Sequence, residues 1–90
     1  MAVHRLEIDD TSVLDNIDAG QVEFSGIVDD DEYDFAVQYD LLEALSGDRP
    51  DGDAEETFRR FSDEISDAAL AALARNRDAN PVIVSENDLE

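Results

Sequence analysis

Residues 21–39 have the sequence QVEFSGIVDDDEYDFAVQY, and the alternation within this stretch decides the fold. Every second residue of 33–39 is large and apolar, which is the period of a strand with one buried face. The run at 21–28 predicts a second strand, and the acidic residues 29–32 predict the turn between the two. The sequence therefore predicts an antiparallel hairpin that must bury one apolar face.

Two weaker signals precede the hairpin. Residues 3–8 alternate loosely and predict a first strand. Residues 9–20 are rich in Asp, Asn, Ser and Gly, but the spacing of Val13, Leu14 and Ile17 predicts one short helical turn packed on the core. The 90 residues are expected to form a single domain, in which residues 1–20 are an N-terminal extension to the core at 21–89.

Two helices are predicted after the hairpin. The first spans 41–46, with Asp40 as its N-cap and Gly47 as its stop. The second spans 54–75, and Asp53 with a Glu three residues later matches a capping box at its start. These signals predict a short helix followed by a long one.

The chain returns to the sheet in a last strand at 82–85. The long helix carries an apolar stripe that includes Phe58, Phe61 and Ile65, and this stripe is suited to cover the apolar face of the hairpin. The predicted fold class is thus α+β, a two-layer arrangement with a mostly antiparallel sheet and both helices on one face. The other face is predicted to be solvated and includes Glu23, Ser25, Asp34, Ala36 and Gln38.

A family pattern is visible in the order of apolar and small residues over about 22–89. It comprises Phe24, Gly26, Val28, Tyr33, Phe35, Val37, Leu41, Leu42, Leu45, Gly47, Phe58, Arg59, Arg60, Ile65, Ala69, 82–85, Asp88 and Leu89. In these positions the chain resembles a family of short, uncharacterised bacterial proteins catalogued only as a domain of unknown function. The resemblance implies an α+β order and no activity. The chain departs from the family in its acidic surface and its extra 20 N-terminal residues.

The charge balance is extreme, with 25 Asp and Glu against 6 Arg and no Lys, a formal net charge of −19. Apolar residues still make up 42% of the chain and fall into periodic blocks, so a folded domain is expected and not a disordered one. Asp exceeds Glu and every cation is Arg, which resembles proteins from organisms with molar salt in the cytoplasm. At about 1 M salt, charges are screened beyond about 3 Å, so such a surface repels itself little. We interpret the charge as adaptation to salt.

The acidic clusters are weak candidates for metal binding. If 29–40 were a calcium loop, its sixth position would need Gly and has Asp34, and its twelfth would need Glu and has Asp40. The sequence therefore predicts a solvated hairpin tip. A second cluster is predicted to be a loop that supplies helix caps, and it contains Asp48, Asp51 and Asp53.

The basic residues also have structural explanations. The i, i+4 spacing predicts surface ion pairs of Glu55 with Arg59, Glu56 with Arg60, and Arg60 with Glu64. Arg75 and Arg77 fall at a helix C-terminus, where cations complement the dipole, and His4 is expected to be exposed. The small residues Ala68, Ala69, Ala71, Ala72 and Ala74 are expected to pack on the sheet, with a self-association surface as the alternative.

The residue inventory restricts the chemistry. Without Cys or Lys, and with one His, thiolate, Schiff-base and His-dependent catalysis are not expected. We predict no catalytic, cofactor-binding or metal-binding residues and no small-molecule ligand. The predicted function is a non-enzymatic, cytoplasmic interaction module that binds a protein partner or forms a homodimer, with no membrane association and no direct nucleic-acid binding. Two alternatives stay open: an acidic nucleic-acid mimic that binds a basic protein, and a small carboxylate-dependent enzyme.

Overall fold

The computed structural model describes residues 5–76 and 78–89 and has the predicted α+β class, with helices on one face of a mostly antiparallel sheet. In chain order the elements are β1 (Leu6–Ile8), β2 (Leu14–Asn16), β3 (Gln21–Val28), β4 (Asp31–Gln38), α1 (Tyr39–Ser46), α2 (Ala54–Arg60), α3 (Ser62–Arg75) and β5 (Val82–Val84). Short 3₁₀ turns lie at Asp10–Ser12 and Glu86–Asp88. No helix in the described part of the chain is both long and apolar enough to cross a membrane.

The hairpin of β3 and β4 is the centre of the sheet, as predicted, and its two strands pair over their whole length. On the far side of β4 lies β5, which runs parallel to it. On the far side of β3 lie both β1 and β2, each antiparallel to it. The two short strands together form one edge, which the Asp10–Ser12 turn divides.

The hairpin turn is tighter than the four-residue loop predicted at 29–32. Val28 pairs with Asp31, so the strand begins two residues earlier than predicted, and the connection is only Asp29 and Asp30. These two residues have positive φ angles of 54° and 73°. A two-residue turn with both φ values positive matches the twist of the strands, and Asp tolerates this conformation better than most residues.

The helical turn predicted within 9–20 is partly wrong. A single 3₁₀ turn does form, and the Asp9 carboxylate accepts a hydrogen bond from its Thr11 N–H. Leu14 then enters β2, because the edge of β3 offers backbone hydrogen bonds to this segment. Leu14 and Ile17 are not packed on the core as predicted, since they are 57% and 67% exposed, and only Val13 is packed against it.

The first helix begins earlier than predicted and ends where expected. Its N-cap is Gln38, not Asp40, because the strand leads directly into the helix at Tyr39. Gly47 closes the helix with a φ of 88°, a left-handed conformation that glycine adopts without steric cost.

The long helix predicted at 54–75 is two helices. They meet at Phe61, whose φ and ψ of −110° and 28° are not helical. The break lets α2 pack against β2 and β3 while α3 packs against β1, β4 and β5, which one straight helix of about 33 Å could not do on a twisted sheet. The predicted capping box is also absent, because the Asp53 carboxylate accepts a hydrogen bond from the Asp51 N–H and makes no cap.

The core lies between the helices and one face of the sheet. Phe24 stacks on Phe35 with ring centroids 5.1 Å apart, and Phe58 of α2 contacts Phe24 at 5.0 Å. At the β1 edge, Leu6 fills the space above Gly26, so that a methyl group added to Gly26 would lie 2.5 Å from Leu6 Cδ1.

Two polar contacts join elements across the core side of the fold. Tyr39 donates its hydroxyl to the Asp15 carboxylate of β2. Burial, followed by this hydrogen bond, raises the pKa of Tyr39 to about 12. Near the C-terminus, Arg75 donates to Asp88, whose side chain is 2% exposed and also accepts from the Ser85 N–H.

Ser85 caps this last turn and is not part of a strand, so β5 ends one residue before the predicted 82–85 boundary. The first strand predicted at 3–8 begins only at Leu6: Arg5 is not part of it, and residues 3–4 lie outside the described residues.

Candidate binding face

The helices cover one face of the sheet and leave the other face open. We call this second surface the open face. It consists of alternate residues of the strands: Glu7, Leu14, Asn16, Gln21, Glu23, Ser25, Ile27, Glu32, Asp34, Ala36, Gln38 and Ile83. The solvated face predicted from the alternation is therefore present, except that Ala36 lies in the middle of the sheet and is buried.

An apolar row crosses the open face. The strand register places Leu14 next to Glu23, Glu23 next to Ala36, and Ala36 next to Ile83. Neighbouring strands are about 4.8 Å apart, so the row extends about 14 Å across the whole sheet. Leu14 and Ile83 are 57% and 43% exposed at its two ends. Between them the row holds the charged Glu23 and the buried Ala36, so its exposed aliphatic surface lies at its two ends.

A shallow groove of about 320 Å³ lies beside this row. Ser12 and Leu14 line it at one edge of the sheet, and Asn80 and Pro81 line it at the other. Its floor comes from the central strands and includes the side-chain pair Ser25 and Asp34. Because both sheet edges contribute, the groove runs across the strands.

Hydrogen bonds hold the carboxylate of Glu23 in place. It accepts from the Asn16 and Gln21 side-chain amides at 2.9 and 2.8 Å. These two hydrogen bonds, that of Asn16 first, lower the pKa of Glu23, so the group is a charged acceptor at neutral pH.

The Asp34 carboxylate accepts a hydrogen bond from the Ser25 hydroxyl at 2.8 Å. This contact fixes Asp34 next to the groove, on the same face as Glu23. The groove is thus lined by two carboxylates whose positions are set by neighbouring side chains.

The described arginines lie on the helical side of the molecule. Arg59 pairs with Glu55 at 3.5 Å and Arg60 with Glu56 at 3.8 Å, as predicted. The predicted pairing of Arg60 with Glu64 does not occur at salt-bridge distance.

The other described arginines contact helices or the turns next to them. Arg49 pairs with Glu43 of α1 and lies over the Tyr39 ring at 5.9 Å. Arg5 lines a shallow pocket with residues of α3. Arg75 binds Asp88, a specific ion pair that the dipole interpretation did not anticipate. Arg77 and His4 lie outside the described residues.

The acidic clusters are not assembled into a metal site. Among residues 5–76 and 78–89, no three His, Cys, Asp or Glu side chains are placed to hold a metal ion. Asp34 is bonded to Ser25, and Asp40 in α1 accepts from the Glu86 N–H at 3.4 Å. Exposed acids occur on both layers of the fold, on α2, on α3 and on the open face, and do not follow one stripe.

The alanines of α3 divide between its two sides. Ala68, Ala69 and Ala72 are buried, as expected for packing on the sheet. Ala71 and Ala74 are exposed. The predicted packing is confirmed for three of the five alanines.

Comparison with known proteins finds a solved structure with the same fold. No family model matches the chain, and no curated protein matches it. Among solved structures, the chain is similar to a protein of unknown function from the DUF1488 family of Shewanella loihica PV-4, with a TM-score of 0.75 over 100% of both chains. This likeness shows the fold alone. At 11% sequence identity it transfers no function; the neighbour's own function is unknown, which is consistent with the resemblance to an uncharacterised domain.

The apolar row did not emerge from the sequence, because the spacing of Leu14 assigned this residue to the core. The sequence Val82-Ile83-Val84 did contain a signal for the Ile83 end of the row. The period of a strand puts Ile83 on the face opposite to its two neighbours, so a strand buried on one face must expose it.

Proposed function

We propose that the protein is a small, non-enzymatic protein-binding module and that its binding surface is the open face. The observation that carries the proposal is that both ends of the apolar row, Leu14 and Ile83, are exposed on a sheet face that the helices do not cover. An uncovered sheet face that mixes aliphatic and polar side chains is suited to an interface, because non-obligate interfaces are about as apolar as the rest of a protein surface.

The sheet face is better suited to binding than the sheet edges. Both edges end in three-residue strands, β2 and β1 on one side and β5 on the other. An added strand would find few backbone groups in line, whereas the face offers side chains from all strands. We therefore place the proposed interaction on the face and not at the edges.

A carboxylate-dependent enzyme would use the same groove, with Glu23 and Asp34 as its acids. A general acid in such a reaction needs a carboxyl pKa raised towards neutrality. The amide hydrogen bonds lower the pKa of Glu23. This direction favours a binding role over acid catalysis. The distribution of acids over both layers likewise does not favour a nucleic-acid mimic, which would need them along one stripe.

The proposal also covers the solvent in which the protein works and the family to which it belongs. A net charge of −19 with Arg as the cation supports a cytoplasm rich in salt. The shared fold with the DUF1488 protein supports membership of an uncharacterised family of that type.

The test is capture of a partner from a lysate of the host at its own salt concentration, with three single variants. Leu14→Asp and Ile83→Asp alter the two ends of the row, and Ile17→Asp is the matched control because it is 67% exposed and lies outside β2. We expect the wild type and the control to retain the same partner and both row variants to lose it.

Circular dichroism of each variant checks that the fold is intact. Equal capture by all four proteins would overturn the proposal. So would a wild type that captures nothing and is monomeric by light scattering.

A further inference from the structure

We infer that the open face binds a cationic, amphipathic polypeptide segment, with Lys or Arg side chains at its carboxylates and aliphatic side chains on the apolar row. This inference rests on the proposed function and adds the chemical class of the partner.

Charge complementarity favours a cationic partner. The open face has four carboxylates: those of Glu7, Glu23, Glu32 and Asp34. None of the five arginines in the described residues is among the residues of this face. Four acids on the helical side have ion-pair partners among the described residues, for example Glu55 with Arg59. The described residues therefore supply no arginine to these carboxylates, and a cationic partner would complement them.

The same charges disfavour a second copy as the occupant. If two open faces stacked on each other, each would bring the same carboxylates and, among residues 5–76 and 78–89, no arginine. Like charges brought together at an interface oppose association. A homodimer through this face would therefore bury the apolar row only with carboxylates of equal sign in contact. A basic partner can cover the same row while neutralising those groups.

The spacing of the two kinds of group favours a segment that is both cationic and aliphatic. Carboxylates and aliphatic residues are interleaved: Glu23 lies between Leu14 and Ala36 in the row, and Asp34 precedes Ala36 by two residues along β4. A segment that alternates basic and aliphatic side chains can contact both kinds of group within a few ångströms. The groove of about 320 Å³ that connects the sheet edges gives such a segment a direction, across the strands.

The salt concentration determines how much the apolar row and the carboxylates each contribute to the binding affinity. At about 2 M salt, screening leaves only ion pairs in direct contact, whereas burial of aliphatic surface is retained. We expect the apolar row to supply most of the affinity in molar salt and the carboxylates to select a cationic partner over a neutral or acidic one.

The test uses three labelled synthetic peptides of about ten residues, the length of a long strand. In the first, Lys and Val alternate; in the second, Ser replaces Val; in the third, Glu replaces Lys. Binding to the full chain is measured by fluorescence anisotropy in about 0.15 M and about 2 M KCl. We expect the Lys/Val peptide to bind, the Lys/Ser peptide to bind at least about tenfold more weakly, and the Glu/Val peptide not to bind.

Two charge-matched protein variants locate the binding. The first removes three exposed carboxylates of the open face, as Glu7→Gln, Glu32→Gln and Asp34→Asn. The second removes three exposed carboxylates of α3, as Asp63→Asn, Glu64→Gln and Asp67→Asn. The net charge is identical in both. We expect the open-face variant to lose about tenfold in affinity for the Lys/Val peptide and the α3 variant to lose less than about twofold.

Three results would overturn the inference. Equal losses in the two variants would mean general attraction to an acidic protein. Binding of the Glu/Val peptide would mean that the face does not select cations. A dimer in light scattering that Leu14→Asp dissociates would mean that a second copy occupies the face. If host-partner capture depends on Leu14 and Ile83 while the peptides are not distinguished, the proposed function stands and only the partner class is wrong.

Discussion

Gly26 offers a quantitative test of the packing at the β1 edge. In Gly26→Ala, the new methyl carbon would lie 2.5 Å from Leu6 Cδ1 and 3.1 Å from the Glu7 carbonyl oxygen. Carbon atoms in contact are normally about 3.5 to 4.0 Å apart, so Leu6 must move by about 1 Å or more. Overpacking of this kind costs about 1 to 3 kcal/mol. Replacing Gly by Ala in a strand returns about 0.5 to 1 kcal/mol. We expect a net loss of about 1 to 2 kcal/mol in the free energy of unfolding.

The assay is urea unfolding at a fixed salt concentration, with a double-mutant cycle. Leu6→Ala removes both Leu6 atoms near the added methyl, so Gly26→Ala should cost about 1 kcal/mol less in that background than in the wild type. Gly47→Ala is the control: its cost arises from a φ of 88° and not from crowding, and it should be additive with Leu6→Ala. A Gly26→Ala penalty that is unchanged by Leu6→Ala would refute the packing explanation.

Three further predictions concern ionisation, an ion pair and salt. In Tyr33→Phe, Tyr39 is the remaining tyrosine, and its tyrosinate absorbance should appear with a midpoint at a pH of about 12. Because the pKa of an unfolded tyrosine is about 10, stability should fall as the pH rises from 10 through 12. An absorbance midpoint near pH 10 would contradict this prediction. Asp88→Asn should lower the free energy of unfolding in urea by about 1 to 3 kcal/mol, because the buried group loses its charge-assisted hydrogen bond to Arg75. Glu56→Gln, in an exposed ion pair, should cost less than about 0.5 kcal/mol. Similar costs for the two variants would count against a difference between the buried and the exposed pair. Far-ultraviolet circular dichroism should show more helix and strand in about 2 M KCl than in dilute buffer, and equal spectra would remove the argument for salt adaptation.

The central hairpin and the fold class could be predicted from the sequence because alternation over 16 paired residues leaves one consistent arrangement. The helix break at Phe61 could not, because the apolar spacing continues through it and the break depends on the shape of the sheet. The β2 strand could not either. Its residues match a helical spacing, and the available edge of β3 decides their conformation.

The candidate site was predictable in part. Alternation of apolar and polar residues is enough to identify the solvated face and its acids, since the period of a strand assigns residues to faces. The apolar row required the register of β2 and β5, which pairs Leu14 and Ile83 with the central strands. Register between distant segments depends on tertiary contacts and has no local signal in the sequence.

The divided edge of the sheet has a consequence for solubility. The Asp10–Ser12 turn separates β1 from β2, and the Ser12 hydroxyl accepts the Ser25 N–H at 2.8 Å where the backbone ladder is interrupted. No edge strand in the described residues offers more than three residues in line to a neighbouring molecule. Most soluble proteins also use charge to keep sheet edges apart, but molar salt screens that repulsion. In the proposed salt-rich solvent, the shape of the edge would itself keep sheets from pairing edge to edge, and we expect a continuous strand at 6–16 to promote polymerisation.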